Sequence, residues 1–303
     1  MITKKIIPGV LFLTLLFVCQ YGYSGEVPDQ TIISEVDTAL HQLITMQKDI
    51  KDLHPFLNQF HPIAIVENDH LYIFDFDPLS KKYQYQKKEP VPFPMPEGIR
   101  ASFPLSSYGG KPSCVVSRDI FESLNGYILI FHEFIHCSQA NTCEYKLKER
   151  LKVARIAAEN NDYSWEINHP FPYQDSAFVT DYSHFLDALN KNNHKEVIEY
   201  RTKLKRNLNQ VDFEYMVWQE WKEGFARLIE NKLQSKYGIE ENQYGKEKPY
   251  SRITFYYGGA NFIKYIVLHE NDLFLNIESL FNRMWEYNKN EGKGMGKKNF
   301  KIN

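Results

Sequence analysis

The chain has 303 residues, 43% of them apolar, with 36 basic side chains against 38 acidic ones. That is enough to bury one large core or two modest ones, and a net charge of -2 with no basic stripe through the body sets aside a nucleic-acid-binding class. The 21 Phe and 20 Tyr supply bulk for a thick core or an aromatic-lined groove, which composition does not separate.

The opening residues place Lys4 and Lys5 before an apolar stretch from Ile6 to Val18, followed by Gly22, Ser24 and Gly25. This is the layout of a secretory signal peptide over 1–24, with cleavage after Ser24. The stretch is short for a membrane span, and no later segment reaches the required length. An acylated Cys19 is the alternative anchor, disfavoured by Phe17 and Val18 in front of it. Either route exports the chain to the secreted, periplasmic or envelope space. There Cys114, Cys137 and Cys143 could pair, but three is an odd number and both pairing and burial as free thiols stay open.

Residues 25–303 read as one α+β unit. Ile32, Ile33, Val36, Leu40, Leu43 and Ile44 mark an amphipathic helix ending near Pro55. Short β-like runs follow to about residue 118 ("IAIVEND", "HLYIFDFD", "YQYQKK", "CVVSRD"), making a small sheet, with "RASFPLSSYGGKPSCVVS" read as a loop feeding a strand. From about 119 to 287 the pattern is helical: the segment around residues 126–139, then "EYKLKERLKVARIAAEN", "SHFLDALNK", "HKEVIEYRTKLKRNL", "FEYMVWQEWKEGFARLIENKL" and "NFIKYIVLHE". "SWEINHPFPYQD" is a loop, and 288–303 a polar, glycine-rich, basic tail.

His132 and His136 stand four apart on one helix, so both imidazoles reach one ion, while Glu133 lies to the side where an activated water would sit. Ile128, Leu129, Ile130, Phe131, Phe134 and Ile135 make the rest of this helix apolar. Two histidines and a carboxylate buried there need strong partners to offset desolvation, and one zinc ion is the least forced. Hydrogen bonding within an ordinary core is the alternative. A catalytic zinc needs a third protein ligand. Gln139 and Thr142 stand where a glycine and a third histidine would extend the motif, which excludes that solution and leaves a carboxylate from a later helix as the other common one. "WQEWKEGFARLIE" offers Glu220, Glu223, Arg227 and Glu230 at helical spacing, opposite Val217, Trp221, Phe225 and Leu228.

"HEFIH" with a distant "WKEGFARLIE" resembles the gluzincin type of zincin metallopeptidase, in the peptidase MA-like families whose second helix reads W-x-E-G-x-A-x-x-x-E. The resemblance implies a zincin-like fold, with the sheet packed on the HEFIH helix, and Glu223 as third zinc ligand. Glu230 would be a supporting residue. "YYGGANFIKYI" resembles the helix that follows in those families and aligns Tyr256, Gly259 and Phe262. The 86 residues between His136 and Glu223 exceed what compact members use. Arg227 stands where some carry an aspartate orienting a ligand histidine, so Glu220, Glu230 or Asp181 would take that duty.

The expected activity is hydrolysis of a peptide or protein substrate, with Glu133 as general base and Tyr256, or its neighbour Tyr257, steadying the oxyanion; His169 and Arg252 are poorer candidates. The strand near "CVVS", or the loop before it, would pair with the peptide. A zinc-stabilised but inactive peptide- or glycan-binding envelope protein is the rival expectation. His169 beside Pro170 reads as a loop residue.

Overall fold

The computed structural model describes residues 29–287. The predicted signal segment 1–24, Cys19 and the 288–303 tail lie outside the described residues. The expected first helix is α1 (Asp29–Ile50), which buries Ile32, Val36, Leu40, Leu43 and Ile50. Each such aliphatic side chain, fully buried, contributes about 1.5–3 kcal/mol.

Five strands form one sheet in the order β3-β2-β1-β5-β4: β1 (Ile63–Glu67), β2 (His70–Asp77), β3 (Lys82–Pro90), β4 (Arg100–Leu105) and β5 (Lys111–Ser117). Asn68 and Asp69, with φ of 48° and 57°, make the two-residue turn between β1 and β2. β1 and β5 are parallel; the other neighbours are antiparallel. Alternation divides the strands cleanly. Ile63, Ile65, Tyr72, Phe74, Cys114 and Val116 join the main core with the helices, while Ala64, Leu71, Ile73 and Val115 form a smaller cluster with Val91, Met95, Phe103 and Tyr108 on the other face.

β4 corrects the loop expected at "RASFPL". It pairs with β5 throughout, and Pro104 opposite Pro112 hides its strand character in the sequence. A proline is tolerated there because β4 is an edge strand. The "CVVS" strand, β5, is therefore interior, and the open edge beside the helices belongs to β4.

The rest is mostly helical. α2 (Leu124–Gln139) continues through a π turn at Ala140–Glu144 into α3 (Tyr145–Arg150). The single helix expected over "EYKLKERLKVARIAAEN" breaks at Leu151, whose backbone is extended, and resumes as α4 (Lys152–Glu159). The "SWEIN" loop holds a short helix, α5 (Trp165–Asn168). Then come α6 (Ser176–Asn190), α7 (His194–Asn207), α8 (Gln210–Lys236), α9 (Arg252–His269) and α10 (Ile277–Glu286). Among the described residues no helix is long and apolar enough to cross a membrane. α2 lies between the sheet, through β4 and β5, and α8, which in turn packs on α9.

Candidate metal centre

Two close approaches set the helices around the site. At the start of α2, Ser123 accepts the Gly126 N–H, and a Cβ on Gly126 would meet the Ile120 carbonyl oxygen at 1.8 Å. Between α8 and α9, a Cβ on Gly259 would meet the Glu220 oxygen at 2.1 Å, and one on Gly224 would meet the Gly259 backbone at 2.6 Å. The glycines of "EGFA" and "YYGG" are thus where two helix backbones touch. That contact brings Glu223 of α8 beside Tyr256 of α9.

His132 and His136 are each 6% exposed. Their Nε2 atoms face each other at 3.2 Å, and Glu223 Oε2 lies 3.3 Å from the His136 Nε2 and 3.9 Å from that of His132. A triangle with those edges has a circumradius of about 2.0 Å, the length of a zinc bond to nitrogen or oxygen. Among the described residues these three form the group that could hold a metal ion.

The far sides of the rings decide the tautomer. His132 Nδ1 is 2.8 Å from Glu230 Oε2, and His136 Nδ1 is 2.8 Å from Gln139 Oε1. Glu230 is held by Arg227 Nε at 3.3 Å and Asn242 Nδ2 at 2.8 Å. Gln139 donates its amide to the Lys222 carbonyl at 3.2 Å, which fixes the amide oxygen toward His136. With acceptors at both Nδ1 positions, these nitrogens carry the protons and both Nε2 atoms present lone pairs. Two lone pairs and a carboxylate oxygen then converge on one point. They repel unless a proton or a metal cation sits among them, and the geometry and donor set of the residues present fit a metal ion.

The electrostatics agree. Burial alone would lower His132, but the Glu223 and Glu230 carboxylates outweigh it and raise it to about 10. Burial would raise Glu223, yet the two imidazoles hold it well below the ordinary carboxylate range. The raised His132 marks a place that stabilises positive charge, and the lowered Glu223 is its counterpart, a carboxylate kept ionised by the imidazoles. Glu133, 7% exposed, is pushed up by burial against the pull of His132 and His136. No described residue donates a hydrogen bond to its carboxylate.

Tyr256 is 9% exposed and lies outside the main aromatic core that takes in Tyr257. Arg252, one turn earlier on α9, donates to the Tyr256 hydroxyl and comes within 3.8 Å of Glu223 Oε1. Tyr256, rather than Tyr257, is the phenol at the site.

Other expected residues lie elsewhere. His169 bonds Asp212 at 2.7 Å and packs on Tyr215. Asp181 accepts from Asn207. Glu220, fully buried, pairs with Arg201 at 2.7 Å and accepts from Tyr182. Of the three supports weighed for the ligand histidines, Glu230 alone touches one. Gln139, three residues after His136, is the support that sequence reading missed; its spacing on the same helix face was the available signal. Cys114, Cys137 and Cys143 are buried and free, with Cys137 Sγ 3.1 Å from Ser102 Oγ on β4.

No family model, curated protein or solved structure matches the chain.

Proposed function

We propose that the chain is an exported zinc-dependent hydrolase of peptide bonds. The observation that supports it is the meeting of His132, His136 and Glu223 around one point, with the buried and unbonded Glu133 carboxylate on the same helix. Structural zinc sites are closed by four protein ligands, whereas three leave a position for water or substrate.

Zinc, when bound, supplies Lewis acidity toward a carbonyl and lowers the pKa of water. The chain's own groups do the rest. Glu133 takes the proton of the attacking water and passes it to the leaving amine; its raised pKa brings it nearer to the range where a carboxyl serves as both base and acid. The Tyr256 hydroxyl donates to the oxygen on which charge develops. Glu230 and Gln139 keep the imidazoles oriented. β4, the edge strand beside α2, is open to pairing with an extended peptide.

The test combines elemental analysis with hydrolysis of a peptide library. About one zinc per chain is expected in the parent and in Glu133→Gln, and clearly less in Glu223→Ala. Glu133→Gln should lose about 10²–10⁴-fold in rate. Full activity in that variant, or a folded, metal-replete parent without zinc, would overturn the proposal.

A further inference from the structure

With a divalent ion bound, charge balance around the site would leave one cation without a full counter-charge. Arg227 neutralises Glu230. Lys148 and Lys222 share Glu144 and Glu166 between them. A divalent ion would offset Glu223 and Glu133. Arg252 pairs with Glu223 only at 3.8 Å, and with a metal ion offsetting that carboxylate it is left over; its side chain is 27% exposed, against 14% for Glu223.

The guanidinium is also short of partners. Of its five N–H donors, the described residues engage one in a hydrogen bond, to Tyr256. The other phenols near it, Tyr173 and Tyr215, donate to the Tyr215 hydroxyl at 3.5 Å and to the Glu166 carbonyl at 3.1 Å, and neither accepts a hydrogen bond from the guanidinium. The guanidinium carbon sits 5.2 Å over the Tyr256 ring, which limits how far the group swings. A rigid planar fork with free donors, next to the place where a carbonyl would react, matches a carboxylate in two parallel hydrogen bonds.

We propose that Arg252 determines specificity by binding a substrate carboxylate close to the scissile bond. The proposal rests on the peptidase reading for the claim that the ligand is a peptide. Two sources carry this chemistry: the free C-terminal carboxylate, which would make the chain a trimmer of peptide ends, and an acidic side chain beside the cleaved bond.

The experiment uses the full mature chain as its zinc-loaded Glu133→Gln variant, which binds without cleaving, and measures affinity by calorimetry. The probes are acetyl-phenylalanyl-alanine, its C-terminal amide, and the C-terminal amide of acetyl-phenylalanyl-glutamate. The free acid should bind at least about tenfold more tightly than the plain amide, in keeping with a charge-assisted bidentate pair. Adding Arg252→Met should abolish the difference and Arg252→Lys should keep part of it. A gain confined to the glutamate amide would assign the carboxylate to a side chain. Equal affinity for all three probes with Arg252 in place overturns the proposal, and this comparison needs no Arg252 variant to fold. If the carboxylate preference holds while the parent cleaves none of the probes and no library peptide, the peptidase reading falls alone.

Discussion

Two pairs of buried histidines lie in different parts of the chain. His54 and His61, between α1 and β1, are 2% and 5% exposed, as enclosed as His132 and His136 on α2. Their surroundings are opposite. His54 accepts the Phe56 N–H on Nδ1, donates from Nε2 to the Phe274 carbonyl, and sits among Phe56, Phe225 and Phe274. His61 meets Ser138 Oγ at 2.9 Å and packs on Phe134. Burial pushes both down to about 4. At the candidate centre burial acts the same way, but carboxylates on either side of His132 reverse it. Enclosure of an imidazole therefore says little about metal binding. Convergence of ring lone pairs with an anionic partner is what separates the two regions.

The largest expected effect is on pH dependence, where the two regions carry opposite signs. His54 and His61 stay neutral in the folded chain and take up protons on unfolding below about 6.5, so their stability contribution is present above that pH and is lost as pH falls toward 4. At pH 5 the loss relative to pH 7 is about 2 kcal/mol for each. His132 in metal-free protein is raised to about 10, so its contribution is present below 6.5 and is lost as pH rises toward 10. Urea unfolding from pH 5 to 9 should show both limbs in chelated protein. Zinc, taking the place of that proton, should remove the alkaline limb and leave the acid one. An alkaline limb that persists unchanged in zinc-loaded protein would break the comparison.

A second difference is how each region is held. Side chains pack around His54, whereas the centre depends on backbone contact between α8 and α9 at Gly224 and Gly259. Gly259→Ala must part those helices, because the atoms in the way are the Glu220 oxygen and Cα rather than a movable side chain. The expected cost is about 1–3 kcal/mol in denaturant unfolding. Zinc affinity should fall with it, and the acid limb from His54 and His61 should keep its slope. Unchanged stability and zinc content would mean that the helices do not approach this closely.

Much of the centre was legible because its chemistry is written in spacing. His132, Glu133 and His136 lie within five residues, and Glu223 stands next to a glycine that only a close helix crossing requires. Its supports were harder to read. α8 is buried nearly all round, so no apolar stripe tells which carboxylate faces which neighbour. Glu220 turns to Arg201 while Glu223 and Glu230 turn to α2. Asn242, which fixes Glu230, comes from a loop 12 residues on, and no local pattern connects them. In the sheet, β1, β2, β3 and β5 announced themselves by β-branched and aromatic runs. β4 did not, since an edge strand can carry Pro104 and polar Ser102 without losing its pairing.

The smallest effects expected are at the two supports, and they separate charge from tautomer control. Glu230→Gln keeps an oxygen for the His132 Nδ1–H but removes a charge that Arg227 offsets in part. Gln139→Leu removes the acceptor altogether and leaves the His136 Nδ1–H unpaired in a buried site, at about 1–3 kcal/mol. Both fall within the roughly 10–100-fold range by which such supports change metal affinity. Competition titration with a zinc chelator should therefore put Glu230→Gln near the low end of that range and Gln139→Leu toward its high end. Gln139→Glu, which keeps the acceptor, should recover most of the loss. The reverse order would mean that the carboxylate beside His132 acts through its charge, despite Arg227. The centre would then differ from the His54 region by net field more than by where its lone pairs point.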